Sequence, residues 1–391
     1  MHSRKNCTVS SRDVQQWAQN QIGEHLSIKD HGKKCTQDVL LKVLLLAAAG
    51  ITSIGAICKK LSGAPTSQAI LAALRATLPD LTTLERQVNR SLWPDAKRLK
   101  ALRRKPREIA IDLTLIPYHG QPHSDPSEIY RSQPKSGTTH FHAYATAYVI
   151  YKGHRYTLAL TRVLADEAMS DVLGRLVKQV RSQGVRIKLL LLDRGFFSVK
   201  VVRSLRAMRC PFLMPVIMRG RKKKNPKAKP SGLRAFLKKR NGWYKYRMRG
   251  KDGRCVNLDI CVASKKCLDK KTGKKKFKKL VYASWRMTMS PLDVRELYRK
   301  RFGIETSYRQ MHQARIRTCT RDPLLRLLYV SVALILLNVW VWLHETFFTE
   351  NGGLEPTRHL EKLRFREMLQ WIEQVIERLL HDGSDYYVDT G

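Results

Sequence analysis

The sequence predicts an α/β protein, in which an all-helical N-terminal region precedes a mixed sheet that is interrupted by a β-rich insertion. Residues 1–104 contain a strongly apolar helical run at 39–47 and a second helical stretch at 51–74. From residue 105 onward, short apolar runs follow in the order strand, strand, strand, helix, strand, which fits a mixed α/β sheet. Alternating residues between two lysine-rich runs then indicate an insertion of further strands.

The charge balance restricts the class of partner. The chain has 391 residues, of which 74 are Lys or Arg and 32 are Asp or Glu, so its formal net charge is +42. Such a chain repels itself unless it meets a polyanion, and nucleic acid, which releases bound counterions on binding, is the expected partner. An anionic membrane surface is the competing partner. A hydrophobic content of 43% supports a packed core and excludes wholesale disorder.

The eight cysteines show no metal-binding pattern. None belongs to a C-x-x-C pair, and Cys255, Cys261 and Cys267 have no His partner at the spacing of a zinc site. They are expected to be reduced thiols of an intracellular protein. Residues 1–17 contain no apolar signal core, so we expect a cytoplasmic protein.

Residues 51–74 predict a helical hairpin. Ser53 is a candidate cap for its first helix, and Thr66 or Ser67 for its second. Between them, residues 63–65 (Gly-Ala-Pro) form a turn. Helix, Gly-containing turn, helix is the pattern of a helix-turn-helix DNA reader, which gives residues 1–104 a DNA-binding role. Any helical hairpin with a Gly-Pro turn has this pattern, so a purely structural hairpin stays open.

Residues 105–218 predict the first part of the sheet. The expected elements are strands at 108–116, 142–151, 155–164 and 185–192, and a helix at 165–184. Asp166 or Ser170 is the expected cap of that helix. The first strand carries Asp112 in its middle. The last strand ends at Asp193, and sites on such sheets usually lie at strand ends.

Both acids are unusual for their positions. A buried strand rarely tolerates an unpaired carboxylate, because its desolvation is costly; the alternative is that Asp112 and Asp193 are paired structural residues or strand-end caps. A third acid, Glu305, lies in a predicted helix that carries Tyr298 and Arg301 on the same face. There the alternative is a solvated Arg301–Glu305 pair. Three carboxylates on a basic chain suit a metal-dependent phosphoryl-transfer site, because carboxylate oxygens hold Mg²⁺.

With their flanking residues, these acids resemble those of a known enzyme family. Asp112 stands in IAIDLT, Asp193 in LLLDRGFFS and Glu305 in YRKRFGIETSYRQMH. Together they resemble the DDE transposases with an RNase H-like fold, and more narrowly the insertion-sequence transposases with the pattern Y-x2-R-x3-E-x6-K. The resemblance covers residues 105–345. His312 replaces the final Lys of the pattern, and a His is neutral or half-charged where the family has a full positive charge.

The resemblance implies an RNase H-like catalytic core made of residues 105–218 and 287–348. Asp112, Asp193 and Glu305 would be its catalytic residues and metal ligands. They would bind two divalent ions, either Mg²⁺ or Mn²⁺ as its substitute, that promote an in-line displacement at phosphorus. The same site would cleave transposon ends and join them to target DNA, in cut-and-paste movement with a hairpin intermediate. The expected DNA contacts near the acids are Arg194, Tyr298, Arg301, Arg309 and His312.

The implied partners are double-stranded DNA, as transposon ends and as target, and further copies of the chain. Transposases of this group act as synaptic multimers, so a homodimer or higher complex is expected, with no small-molecule substrate and no membrane. Two other interpretations stay open. One is a catalytically inactive or domesticated relative that only binds DNA, and the other is a basic nucleic-acid-binding or packaging protein whose acids are structural.

Residues 219–286 resemble the β-strand insertion that this group carries between its last two acids. Residues 242–264 alternate like paired strands around a turn at 251–254, and residues 279–285 add another strand. Lysine-rich runs flank the hairpin. Their members Lys222, Lys223, Lys224, Lys275 and Lys276 are expected to contact phosphates, although solvated loop tips or a nuclear-import signal would have the same composition.

Two tryptophans of the insertion are candidates for contact with a base. In this group an insertion aromatic can stack on a base flipped out of the transposon end, and any base has a π-face for such stacking. Trp285 is the first candidate, because it is nearer the third acid, and Trp243 is the second. For both, the alternative is that the ring fills the core of a small sheet.

The stretch 324–348 is apolar and nearly long enough to span a membrane, which takes roughly 20 apolar residues. Arg326, Asn338 and His344 interrupt it, so a buried helix packed on the sheet is the better interpretation. Beyond it, a Gly-Gly break leads into a helical tail, residues 349–391, with an amphipathic helix from residue 361.

Overall fold

The computed structural model describes residues 9–61, 63–120, 126–151, 154–220, 230–268, 273, 275–350 and 357–381. Three of the lysines expected to contact phosphates, Lys222, Lys223 and Lys224, lie outside the described residues. The seven cysteines within the described ranges form no disulfide with one another.

Six helices form the N-terminal region. They are α1 Ser11–Gly23, α2 Gln37–Ala49, α3 Ile54–Lys60, α4 Ser67–Thr77, α5 Leu81–Ser91 and α6 Ala96–Arg104. Ser53 and Thr66, two of the predicted caps, accept hydrogen bonds from the backbone N–H groups of Ala56 and Ala69 at 3.2 Å each. Buried side chains of these helices belong to the same apolar cluster as the sheet, so the core is continuous from one region to the other.

A nine-stranded mixed sheet follows. Its strands are β1 Arg107–Pro117, β2 Tyr130–Lys135, β3 Thr138–Tyr151, β4 His154–Val163, β5 Ile187–Leu192, β6 Phe212–Pro215, β7 Gly242–Arg249, β8 Cys255–Leu268 and β9 Lys275–Trp285. Their order is β2-β3-β1-β5-β6-β9-β8-β7, with β4 also paired to β3. β5 runs parallel to β1 and to β6, whereas the other pairs are antiparallel. This confirms the predicted α/β class and is consistent with an RNase H-like core.

Six further helices complete the described chain. They are α7 Met169–Ser182, α8 Val199–Ala207, α9 Pro291–Arg299, α10 Gly303–Met311, α11 Pro323–Phe347 and α12 Phe365–His381, and a short ladder of β10 Thr349–Glu350 with β11 Thr357–Arg358 lies between the last two. The predicted caps of α7 are wrong. The helix begins after Ala168, which has no side chain able to accept a hydrogen bond, and neither Asp166 nor Ser170 stands at the cap position.

The strands of the insertion extend the main sheet. β9 pairs antiparallel with β6, from Phe212 opposite Trp285 to Pro215 opposite Tyr282. β8 pairs with β9, and β7 with β8 across the predicted hairpin turn. The strands of the insertion therefore belong to the main sheet and not to a small sheet of their own. Without β9, β6 would expose its backbone groups at a sheet edge, and the pairing satisfies them.

β4 has an outer edge that side chains cover. Asn338 of α11 accepts a hydrogen bond from the N–H of Thr157 at 3.0 Å and donates one to its carbonyl at 2.8 Å. Asn89 of α5 forms the same pair of bonds with Leu160, at 2.8 Å each. These buried amides take the place of a neighbouring strand and fix both helices against the sheet.

α11 is the buried helix that its sequence predicts. It is long and apolar enough to cross a membrane, but 94% of its most apolar window lies inside the protein. Its polar interruptions have partners in the interior. Nε of Arg326 donates to the Thr320 carbonyl at 2.6 Å, and Nε2 of His344 lies 2.6 Å from the Leu363 carbonyl. These hydrogen bonds offset the cost of burying polar groups.

Asn338→Ala should lower the free energy of unfolding by about 1–3 kcal/mol, because both backbone groups of Thr157 would lose their partner in the interior. Urea titration of the full chain measures the change. Asn20→Ala, on the exposed side of α1, is the matched control and should change the free energy of unfolding by less than about 0.5 kcal/mol. Equal effects of the two substitutions would show that Asn338 does not stabilise the strand edge.

Candidate active site

Strand register places two of the predicted acids side by side. β1 and β5 are parallel neighbours, and Ile111 is the partner of Leu192. The next residues on these strands are Asp112 and Asp193, so the register brings the two acids together where β5 ends. The side chain of Asp112 is 17% exposed and that of Asp193 is 43% exposed. The side chain of Asp112 is therefore mostly buried, whereas that of Asp193 is accessible to solvent.

The third acid approaches the other two through a buried arginine. Nη1 of Arg301 donates to Oδ2 of Asp112 at 2.8 Å, and Nη2 donates to Oε1 of Glu305 at 3.3 Å. Nη2 also lies 3.6 Å from Oδ1 of Asp193. The side chain of Arg301 is only 4% exposed. A single buried guanidinium thus contacts all three predicted acids.

The stretch around Glu305 is not the single helix that its spacing predicts, and that expectation is wrong. α9 ends at Arg299, residues 300–302 form a 3₁₀ turn, and α10 begins at Gly303. A Cβ at Gly303 would overlap the guanidinium of Arg155, so glycine permits a close approach at this point. The guanidinium of Arg301 still lies over the ring of Tyr298, 5.4 Å from its centre.

Three tyrosines bind backbone carbonyls next to the acids. Their hydroxyl groups donate from Tyr298 to Leu192 at 3.1 Å, from Tyr148 to Arg301 at 3.0 Å and from Tyr308 to Asp112 at 2.9 Å. Tyr148 and Tyr308 were not predicted. Tyr308 lies seven residues after Arg301, a helical spacing that points to the same face. Tyr148 lies on β3, and no local pattern marks it.

Burial shifts the charge balance of the site. It raises the pKa of Asp112 to about 6, with a further rise from Asp193, while Arg301 opposes the shift. Burial also works to lower the pKa of Arg301, but Tyr298 and the surrounding acids more than offset it, so this pKa is raised. The site therefore holds a permanent cation beside an acid that ionises near neutral pH.

The donor atoms suit a hard divalent ion, because carboxylate oxygens are the ligands that Mg²⁺ prefers. In this structure, however, the three carboxylates do not lie close enough together to share one ion. In the part of the chain that the structure describes, no group of three or more His, Cys, Asp or Glu side chains stands close enough to hold one metal ion. The positive charge among the acids is the guanidinium of Arg301. Asp193 and Glu305, whose side chains are 43% and 50% exposed, have room to turn towards an incoming ion.

The residues expected to contact DNA near the acids differ in their exposure. Arg194 and Arg309 are exposed. Tyr298 and Arg301 are each 4% exposed and face the interior of the site. His312 lies in a 3₁₀ turn after α10, where burial and two nearby cations lower its pKa to about 4, so its imidazole is neutral at pH 7.

Both candidate tryptophans are half-buried and already have partners. The ring of Trp285 contacts the guanidinium groups of Arg286 and Arg206, at 4.5 and 5.7 Å from its centre. Nε1 of Trp243 donates to the Met289 carbonyl at 2.7 Å. Cation–π contact and hydrogen bonding thus hold both rings in place.

A groove of about 1310 Å³ leads from the acids onto the insertion. Arg194 and Tyr298 line it close to the acids, and its basic residues on the insertion are Lys265, Lys266, Lys278 and Lys279. Phe277 also lines the groove and is 68% exposed. Sequence reasoning missed Phe277, because a lone Phe in a lysine run looks like an ordinary strand residue. Lys275 and Lys276 are exposed on the same strand, β9.

The raised pKa of Asp112 has a measurable consequence for stability. An acid whose folded-state pKa, about 6, exceeds its ordinary value of 3.8 stabilises the fold at low pH, and this stabilisation is lost as the pH rises through 6. In metal-free buffer, the free energy of unfolding of the wild type relative to Asp112→Asn should therefore fall by up to about 3 kcal/mol between pH 4 and pH 7. Urea titrations at both pH values measure it. A difference that rises with pH would contradict the assigned environment.

Comparison with known protein families identifies the family of the chain. The family described as the transposase DDE domain matches residues 103–339, more than half of the chain. The match begins just before β1, ends within α11 and includes all three acids. No protein with a curated description matches the chain. The chain therefore belongs to the family of transposases that share this DDE domain.

Proposed function

We propose that this transposase cleaves transposon ends and joins them to target DNA with Asp112, Asp193 and Glu305 as its catalytic residues. The supporting observation is that three acids from β1, the end of β5 and α10 contact one buried cation in a chain of net charge +42. Acids with purely structural roles gain nothing from such convergence, because the desolvation it requires is costly. The convergence favours catalysis over an inactive DNA-binding relative or a packaging protein.

The three carboxylates would hold divalent ions, either Mg²⁺ or Mn²⁺ as its substitute. Such ions activate the attacking oxygen and stabilise the leaving oxygen in a displacement at phosphorus. Asp112 is the fixed ligand of the set, because its Oδ1 accepts a hydrogen bond from the Leu113 N–H at 2.8 Å and its strand lies between β3 and β5. The more exposed Asp193 and Glu305 would adjust to it.

Arg301 and Tyr298 act as positioning residues in this proposal. The guanidinium of Arg301 offsets the repulsion among three carboxylates that must stand close together before DNA arrives. Tyr298 contacts that guanidinium through its ring and the Leu192 carbonyl through its hydroxyl group. The pair thereby links α9, the 3₁₀ turn and β5. DNA contact falls to the exposed Arg194 and Arg309.

The groove on the insertion would receive the DNA that leads to the acids. Its lysines supply positive charge for phosphates, and Phe277 offers an exposed ring to an unpaired base. Trp285 and Trp243 remain candidates only after a rearrangement, because their present partners hold them. Lys275 and Lys276, on the same strand as Phe277, would contact phosphates.

The remaining parts of the proposal concern assembly and pathway. The α3–α4 hairpin would bind DNA apart from the acids, and a homodimer or higher synaptic complex would hold two ends together. Cut-and-paste movement with a hairpin intermediate, in the cytoplasm at the nucleoid, is the pathway expected of such a complex. The family membership and the basic charge support these points.

The decisive test is DNA cleavage. The wild type, incubated with Mg²⁺ and a duplex that carries the inverted repeats flanking its coding region, should cut at the repeat end. Asp193→Asn should reduce the rate by at least about a hundredfold, because a group that acts on the charge of the transition state is lost. Gel analysis of end-labelled duplex measures the rate.

Asp166→Asn is the matched control, because it makes the same chemical change at an exposed acid outside the site. It should cut at the wild-type rate. If the wild type cuts nothing, or Asp193→Asn cuts as fast as Asp166→Asn, the catalytic assignment is wrong.

Phe277→Ala should weaken binding to a duplex end with one unpaired base by about tenfold, since stacking contributes about 1–3 kcal/mol per base. The salt dependence of binding should stay unchanged, because no cation is removed. Fluorescence anisotropy at several salt concentrations measures both quantities. Leu268→Ala is the control, since Leu268 is 65% exposed on the neighbouring strand β8 and has no ring. Equal weakening by both substitutions would exclude stacking by Phe277.

A further inference from the structure

A cavity lined by basic residues lies beyond the acids. The cavity, of about 500 Å³, opens where the ends of β1 and β3 meet the segment that links α10 to α11. Its polar lining includes His119, His142, Arg315, Arg317 and Arg326. Among the described residues, those that line this cavity include no Asp or Glu.

Among the described residues, the arginines of this cavity have no acidic partner. Arg326 is buried, 6% exposed, and Arg315 is half-buried. In the described part of the chain, neither forms an ion pair; the acid nearest to Arg326 in sequence, Asp322, binds Arg75 instead, at 2.9 Å. Burial lowers the pKa of Arg326, and repulsion from Arg315 lowers it further. Such buried cations are costly unless an anion joins them.

A buried histidine adds an unused hydrogen-bonding atom. His142 is 5% exposed, and its Nε2 has no hydrogen-bond partner among the described residues. Its ring packs edge-on against Tyr118, whose face also carries the guanidinium of Arg326 at 4.9 Å. An imidazole nitrogen buried without a partner is rare, and a ligand oxygen in the cavity would satisfy it.

The cavity lies on the face of the sheet that carries Asp112. In the β1–β3 register, Asp112 is opposite Thr146 and Ile116 is opposite His142. Residues four apart on a strand point to the same face and are separated by about 13 Å. A DNA strand at the acids would therefore reach the cavity within a few nucleotides. The groove on the insertion lies on the other side of the acids, at β8 and β9.

We propose that this cavity binds a phosphate group of a DNA strand that runs past the three acids, with Arg315, Arg317 and Arg326 as its cationic contacts and His142 as an additional hydrogen-bonding group. The inference rests on the proposed function, since that function brings DNA to the neighbouring acids. Three cations with no acid among the described lining residues, a cavity between them and an unused imidazole nitrogen together describe a site for a compact anion. The site would fix how far along the strand the reacting phosphodiester lies from the bound phosphate.

The test is metal-free binding of a fluorescent duplex end with a single-stranded overhang, measured by anisotropy from low to high salt. Arg315→Gln combined with Arg317→Gln should weaken binding about tenfold and reduce the salt slope by about one, because phosphate contacts are lost. The control combines Lys178→Gln with Arg378→Gln, which removes the same charge from exposed positions on α7 and α12. The control should retain the wild-type DNA affinity within about twofold, because salt screens exposed charges that lie far from the bound DNA.

Urea titration shows whether the double variant is folded, and Arg317→Gln alone, at an exposed residue, serves if it is not. Equal DNA affinity of the variant and the control overturns the proposal. A second arm measures thermal stabilisation by inorganic phosphate. Stabilisation that the double variant loses, with unchanged DNA binding, would assign the cavity to free phosphate and also overturn the proposal.

The two proposals fail separately in this design. Loss of DNA affinity in the variant, with no cleavage by the wild type, would keep the phosphate site and reject the catalytic assignment. Normal cleavage by the wild type, with equal DNA affinity of the variant and the control, would keep the catalytic assignment and reject the phosphate site.

Discussion

The contact of one buried guanidinium with three carboxylates is the interaction on which the site depends. Arg301 binds Asp112 at 2.8 Å and Glu305 at 3.3 Å and lies 3.6 Å from Asp193. Without that cation, three carboxylates within reach of one another would repel, and the most buried of them would remain protonated well above its ordinary pKa. Arg301 therefore lets a cluster of negative charge persist inside a strongly basic protein.

The sheet supplies the rigidity that this cluster needs. β1 lies between β3 and β5, so Asp112 has hydrogen-bonded strands on both sides. The insertion continues the same sheet through β6 and β9, which connects the acids to the groove on β8 and β9 by backbone hydrogen bonds. At the opposite side, Asn338 and Asn89 hold β4 against α11 and α5. Motion of the insertion relative to the acids would require breaking these ladders.

Positive charge is distributed on both sides of the acids. The groove carries lysines on flexible side chains around the exposed ring of Phe277, which suits sequence-tolerant contact with phosphates and bases. The cavity beyond Asp112 has arginines, one of them deeply buried, and a neutral imidazole. Arginine in a confined site favours a fixed geometry with a phosphate group. Loose contact on one side and fixed contact on the other would set the register of the strand at the acids.

The sequence by itself determined the α/β class, the caps at Ser53 and Thr66, the buried character of α11 and the choice of the three candidate acids, because apolar period, capping and flanking motifs are local properties. It did not determine the break between α9 and α10, the attachment of β9 to β6, or the positions of Tyr148, Phe277 and the arginines of the cavity. These features depend on contacts between distant parts of the chain; Arg301 and Asp112, for example, are 189 residues apart. Only the tertiary structure decides such contacts, because strand register and helix packing, and not local spacing, bring the side chains together.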